Sequence, residues 1–164
     1  MNVRRAVIGG ITGGVAMTLL GFIVRALGVD MNAEMMLGTM LSTPERGAWI
    51  IGFAIHMMLS VFFALIYAWA FENVTHRAGV LVGLAFAVVH IIFAGIAMAM
   101  IPALHPMIPE KMMAPGAFMS GMGAMGVGLF VLEHLMYGGI VGAMYGAVRR
   151  PVGSTPARSA PLNA

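Results

Sequence analysis

The chain has 164 residues, of which 60% are hydrophobic and only 9% are charged, and its formal net charge is +3. About a quarter of the residues of a soluble domain are charged, so this composition excludes an ordinary water-soluble fold and indicates a lipid environment. The absence of cysteine excludes disulfides and thiolate metal sites, and the 9 scattered Lys and Arg residues predict no nucleic-acid partner.

Four apolar stretches are each long enough to cross a bilayer as a helix, which takes about 20 residues. In chain order they cover about residues 6–27, 48–71, 79–101 and 118–148. A short interfacial helix is predicted at about residues 31–41. Residues 151–164, rich in Pro, Ser and Ala, are predicted to form a disordered cytoplasmic tail. The sequence therefore predicts an all-α fold, a four-transmembrane-helix bundle within one domain of residues 1–150.

The charges outside the spans predict the orientation. If the N-terminus is cytoplasmic, the inner side carries one acidic residue, Glu72, and these basic residues: Arg4, Arg5, Arg77, Arg149, Arg150 and Arg158. The outer side then carries fewer basic residues and more acidic ones: Arg25, Arg46, Lys111, Asp30, Glu34, Glu45 and Glu110. Because cytoplasmic loops are enriched in Lys and Arg, we expect both termini to be cytoplasmic.

The second and fourth spans carry one pattern twice. His56 precedes Tyr67 by the same number of residues as His134 precedes Tyr145, and this separation returns each Tyr to the face of its His. Small residues at every fourth position let helix backbones pack closely; they are Ser60, Ala64, Gly138, Gly142 and Gly146. The pattern predicts two pseudo-repeated helical hairpins, related by an axis along the membrane normal.

A family resemblance rests on four segments in order: residues 14–18, residues 30–38, residues 49–56, and His134-x-x-Tyr137-Gly138 followed by Gly142 and Tyr145. In these segments the chain resembles an uncharacterised family of small four-helix prokaryotic integral membrane proteins, known only as a domain of unknown function. The resemblance implies a multi-pass protein of a prokaryotic cytoplasmic (inner) membrane, and it implies no activity.

Three histidines and a glutamate lie inside the predicted spans: His56, His90, His134 and Glu133. The histidines lie at a similar depth, roughly 20 Å from the inner boundary of an apolar layer about 30 Å thick. Ionisable residues inside a span usually face the bundle interior or a wet cavity. They are candidates to hold haem b or copper, with Glu133 orienting an imidazole or moving protons. Hydrogen bonds that tie helices together are the simpler interpretation.

Most of the 18 methionines lie in the predicted outer loops or at the outer ends of the spans. Thioethers are soft ligands that suit Cu(I). The outer loop therefore adds further candidate metal ligands to His56 and His134, namely His105, Met107, Met112 and Met113. Methionine also fills irregular gaps and makes adaptable contact surfaces, and this is the simpler interpretation.

These features leave three hypotheses for function. The first is a non-enzymatic accessory or interaction subunit, whose small-residue stripes pack against each other, a second copy or a membrane-protein partner. The second is a haem- or copper-binding membrane protein. The third is a small transporter or proton-conducting unit that uses the same polar layer. The sequence contains no phosphate-binding loop, H-E-x-x-H motif or nucleophile elbow, so ordinary hydrolase or transferase chemistry is not predicted.

Overall fold

The structure, a computed structural model, describes residues 1–148, apart from the side chain of Arg46. The predicted tail at residues 151–164 lies outside the described residues. The described residues form five α-helices, in this order: α1 Val3–Ala26, α2 Ala33–Thr39, α3 Arg46–Ala70, α4 Val80–Leu104 and α5 Gly123–Tyr145. A π-helical turn, Phe71–Thr75, continues α3, and a 3₁₀ segment, Ala117–Met122, precedes α5.

The prediction of an all-α fold with four long apolar helices is confirmed. Helices α1, α3, α4 and α5, with the turns that extend two of them, are long and apolar enough to cross a membrane. Residues 1–148 include no strand. The predicted interfacial helix is α2, which is shorter than expected because it begins after Asn32, whose side chain accepts a hydrogen bond from the Met35 N–H at 3.0 Å.

The start of the fourth span differs from the prediction of one helix over residues 118–148. Phe118 and Met119 have left-handed backbone conformations, with φ of 54° and 61°, so the α-helix begins only at Gly123. The ring of Phe118 packs against Gly95 of α4, where a Cβ would collide with it. This contact accompanies the break in the helix at Phe118 and Met119. The glycines that follow have weak helix propensity and do not oppose the break.

Small residues set the order in which the helices pack, α3–α1–α5–α4. The predicted stripe residues lie at these contacts. Ser60 and Ala64 of α3 meet Gly10 and Gly14 of α1, where any Cβ would meet α3 atoms. Gly138 and Gly142 of α5 likewise meet Gly79 and Gly83 at the start of α4. Gly146, predicted to extend the second stripe, instead ends α5 in a left-handed conformation with φ of 68°.

Helices α3 and α4 meet in a different way, along what we call the α3–α4 seam. Over residues 1–148 they show no close backbone packing. Aromatic side chains bridge them instead: the Phe86 ring contacts Tyr67 and Phe71, and the His90 ring stacks on Phe63 at 4.0 Å between centroids. A two-fold relation between hairpins would make this seam equivalent to the close α1–α5 contact, so the pseudo-repeat stays a prediction.

The two ends of the bundle are distinct. At one, the terminal end, the Asn2 N–H donates to the Tyr145 hydroxyl at 2.9 Å, and this hydroxyl donates to Glu72 at 2.6 Å. Arg5 donates to the Tyr145 carbonyl oxygen at 3.1 Å. The start of α1 and the end of α5 therefore share one end of the molecule. The opposite end, where α2 lies against α3, is the α2 end.

Candidate functional site

A cavity of about 320 Å³ lies among the helices toward the α2 end, and each of the five helices contributes to its wall. Most of the wall is apolar, formed by aromatic, aliphatic and methionine side chains. Five of the methionines line it: Met17, Met31, Met36, Met98 and Met119. Ligand cavities in proteins are typically about 300–1,000 Å³ and mostly apolar, with a few convergent polar groups. The polar part of this wall decides what the cavity can bind.

Glu34 of α2 brings a carboxylate into the bundle. Helix α2 can approach α3 closely because Gly38 of α2 and Gly52 of α3 lie at their contact. A Cβ at Gly52 would overlap the Glu34 carbonyl. The Glu34 residue is therefore 2% exposed, although it lies outside the four spans. Its Oε1 lies 3.4 Å from Nδ1 of His56, and its Oε2 lies 3.8 Å from Nη1 of Arg25.

The environment keeps Glu34 ionised. Burial by itself would raise the pKa of Glu34, but hydrogen bonds from His56 and Thr18 outweigh burial. The pKa of Glu34 therefore lies below its ordinary value of 4.5. The hydroxyl of Thr18 also lies 3.3 Å from Nδ1 of His56, so one ring nitrogen of this histidine serves both partners.

Arg25 supplies the positive charge in the wall. It lies in the last turn of α1, where its Nη1 donates to the Met31 carbonyl at 3.0 Å. Its guanidinium also lies 4.6 Å above the Phe22 ring, a cation–π contact. Arg25 thus joins the end of α1 to the loop before α2, and with Glu34 it forms an ion pair at the cavity wall.

His90 and His134 form a second polar group. Their rings lie 5.0 Å apart between centroids, at an interplanar angle of 81°. Nδ1 of His134 lies 2.8 Å from the Phe130 carbonyl, which can only accept, so Nδ1 carries the proton and Nε2 keeps its lone pair. The Tyr67 hydroxyl lies 3.5 Å from Nδ1 of His90, at the long limit of a hydrogen bond.

Glu133, a predicted site residue, lines the cavity wall without a paired group among residues 1–148. It is 8% exposed and lines the cavity, and no residue within 1–148 hydrogen-bonds to its carboxyl group. Arg25 is a charged neighbour of Glu133 and lies across Gly21. The position of a Cβ on Gly21 would be 4.0 Å from Oε1 of Glu133 and 3.4 Å from Nη1 of Arg25.

The predicted metal ligands of the outer loop lie apart from this cavity. His105 accepts from the Met107 N–H at 3.2 Å through Nδ1, so its Nε2 donates to the Met36 carbonyl at 3.0 Å. Both ring nitrogens are therefore in use. The sulfur of Met112 accepts from Thr39 at 3.3 Å, and Met113 is 60% exposed. This loop has the contacts of a structural element.

The span residues predicted to hold haem or copper share one location in the structure. His56, His90, His134 and Glu133 all line the same cavity. However, His56 faces Glu34 and Thr18 through Nδ1, and His134 lies against His90. Over the described part of the chain, no three His, Asp or Glu side chains are arranged to hold a metal ion. A haem or copper role stays a prediction.

Sequence reasoning missed Arg25 and Glu34, which it assigned to the solvated outer side. Two sequence features could have indicated them. Arg25 lies in the last turn of an apolar span, and Glu34 comes two residues after a cap residue and shortly before Gly38. Comparisons with models of protein families, with curated proteins and with solved structures found no match for this chain. The family resemblance stays a prediction, and the case for a function rests on the geometry of the cavity.

Proposed function

We propose that this chain is a membrane protein that binds a small, largely apolar molecule in the cavity, and that its role is binding rather than catalysis. In the proposed orientation the terminal end is cytoplasmic, because Arg4, Arg5 and Arg77 lie there. The α2 end then faces outward, and the cavity lies in the outer half of the bilayer. A prokaryotic cytoplasmic membrane is part of the same proposal.

The observation that carries this proposal is the composition of the cavity wall. Its volume of about 320 Å³ is at the lower end of the range for ligand cavities. Aromatic and methionine side chains make the wall apolar and adaptable. The ionisable groups converge on one void from separate helices: Arg25, Glu34, His56, His90, Glu133 and His134.

The route into the cavity is the α3–α4 seam. Leu59 of α3 and Phe93 of α4 both line the cavity, and they are 41% and 64% exposed on the lipid-facing surface. The helix backbones do not pack closely here. A molecule dissolved in the acyl chains can reach the cavity by moving these side chains, without crossing the polar headgroup layer. The ligand class is accordingly one that partitions into lipid.

The accessory-subunit hypothesis has weaker support. It depended on small-residue stripes, but Ser60, Ala64, Gly138 and Gly142 pack against α1 and α4 of the same chain. These residues offer no surface to a partner or to a second copy. The accessory role stays a prediction, to be tested by co-purification from native membranes.

Filling the cavity tests the proposal. The probe is neopentylbenzene, a compact neutral hydrocarbon, and the measurement is the thermal unfolding midpoint in detergent micelles. A ligand that binds the folded state at 100 times its Kd stabilises it by about 2.7 kcal/mol. Gly21→Leu places a side chain between Arg25 and Glu133 inside the cavity, so the probe should raise the midpoint of the wild type and not of this variant.

Two further variants make the result specific. Ala94→Phe fills the cavity from α4 and covers the case in which Gly21→Leu does not fold. Gly128→Leu is the matched control, because Gly128 is exposed on α5 and no atom lies within 4 Å of its Cβ position. An equal shift of the midpoint in all four proteins would show that the probe acts through the micelle, and the proposal would fail.

A further inference from the structure

We propose that the ligand of this cavity is an organic cation, an ammonium-type group carried on an apolar body, and that it pairs with the carboxylate of Glu133 in exchange for a proton. This inference rests on the proposed binding function and adds the charge of the ligand. It follows from three features of the wall: an unpaired carboxylate, an excess of negative charge, and aromatic rings.

The first feature is the state of Glu133. The residue is more than nine-tenths buried and lines the cavity, and it has no hydrogen-bond partner among residues 1–148. A buried carboxylate without a partner is costly, so buried charges are normally paired. Glu34 has such partners, namely His56 and Arg25, and Glu133 has none. The cavity wall therefore presents a carboxylate that no residue of the described chain pairs.

The second feature is the sign of the charge. The ionisable wall groups other than histidine are two carboxylates, Glu34 and Glu133, and one guanidinium, Arg25. Arg25 lies 3.8 Å from Glu34, donates to the Met31 carbonyl and stacks over Phe22. Its charge is matched by Glu34, although its buried Nη2 has no hydrogen-bond partner among residues 1–148; counted by charge, Glu133 is therefore the uncompensated group. With both carboxylates ionised, one added positive charge, a proton or a ligand cation, brings the wall to neutrality, whereas an anion would face two carboxylates.

The third feature is the set of rings around the void. Phe63, Phe93, Phe130 and Tyr137 all line the cavity. Aromatic faces attract cations within about 6 Å of the ring centroid, and cages of such rings recognise quaternary ammonium groups. A carboxylate beside aromatic rings in an apolar void suits a desolvated organic cation. It does not suit a small hydrated metal ion, which needs several oxygen ligands.

Charge balance couples binding to proton release. Without a ligand, a proton on Glu133 keeps the carboxyl group neutral. When the cation enters, the O–H bond breaks, the proton passes to water and the buffer, and the carboxylate remains paired with the cation. The net charge of wall and ligand together is the same in both states, because the cation replaces the proton. The groups that face Glu133 from the other elements and from α5 enter the same balance: Arg25 of α1, Glu34 of α2, His56 of α3, His90 of α4 and His134 of α5.

A matched pair of probes tests the inference. Benzyltrimethylammonium and neopentylbenzene have the same shape and differ only in the central atom, which is positively charged nitrogen in one and carbon in the other. Affinities for the full-length protein in detergent are read from NMR titrations of the methionine ε-methyl groups that line the cavity. The variants are Glu133→Gln, which keeps the size of the side chain, and Glu110→Gln, which removes an exposed carboxylate from the outer loop.

We expect the wild type to bind the cation at least about tenfold more tightly than the hydrocarbon. Glu133→Gln should lose this preference and bind the two probes with equal affinity, and Glu110→Gln should keep the preference of the wild type. Acidification should weaken binding of the cation and not of the hydrocarbon, and calorimetry in buffers of different ionisation enthalpy should show about one proton released for each cation bound.

The outcomes separate this inference from the proposed function. If both probes bind with equal affinity, or if Glu133→Gln keeps the preference for the cation, the inference is overturned and the binding function stands. If neither probe binds to the wild type, both are overturned. If Glu133→Gln does not fold, the pH dependence of the two wild-type affinities decides, since only a proton-coupled cation site makes one of them fall.

Discussion

The ion pair at the cavity wall gives the sharpest stability prediction. Glu34→Gln keeps the shape of the side chain and removes the charge that Arg25 faces at 3.8 Å. At an effective dielectric constant of 20, this pair is worth about 4 kcal/mol of Coulomb energy before desolvation. Removing one partner of a buried pair costs about 3–5 kcal/mol, because the other charge stays buried. Because the Arg25 side chain is 20% exposed, we expect a loss of stability at the low end of this range, about 3 kcal/mol.

The assay is reversible unfolding of the full chain by SDS in mixed micelles, followed by circular dichroism. Arg25→Met and the double variant complete a double-mutant cycle. Because the double variant leaves no unpaired charge, its loss should be smaller than the sum of the single losses by about 1–3 kcal/mol. Single losses below about 0.5 kcal/mol that simply add would refute the argument that Glu34 and Arg25 form a buried pair.

Three further predictions concern other contacts of the bundle. Tyr137→Phe removes the hydroxyl that donates to the Ser60 carbonyl and should cost about 1 kcal/mol in the same unfolding assay; a loss above 3 kcal/mol would point to a larger role. Thr39→Val removes the hydroxyl beside His105 and should cost about 1–3 kcal/mol and raise proteolysis of the loop that follows α4, whereas unchanged cleavage would contradict this. The lowered pKa of Glu34 means that its stabilisation is complete above the ordinary value of 4.5 and is lost as the pH falls through the folded-state value. A fall in pH should therefore lower the free energy of unfolding of the wild type more than that of Glu34→Gln. Parallel curves of this free energy against pH for the two proteins would exclude the linkage.

The parts of the fold that depend on local sequence could be predicted. The four spans follow from the length of the apolar stretches, and the close contacts follow from small residues at every fourth position. His56, His90, His134 and Glu133 were identified because polar groups inside an apolar stretch are costly. All four line the cavity.

The parts that depend on tertiary packing could not be predicted. Glu34 enters the site only because α2 folds onto α3 at Gly38 and Gly52, and no local pattern specifies which helix those glycines meet. The break before α5 depends on the ring of Phe118 meeting Gly95, which lies in another span. The cavity itself exists because aromatic side chains hold α3 and α4 apart, an arrangement that a symmetric repeat would not predict.

The central claim is that the helices enclose a void that small molecules can enter from the lipid. The most direct measurement is an NMR titration of the protein, labelled with ¹³C at the methionine ε-methyl groups, with neopentylbenzene. We expect saturable ring-current shifts for cavity methionines such as Met17, Met98 and Met119, and none for the surface-exposed Met58 and Met100. Shifts that do not saturate, or that are equal for both groups of methionines, would contradict it.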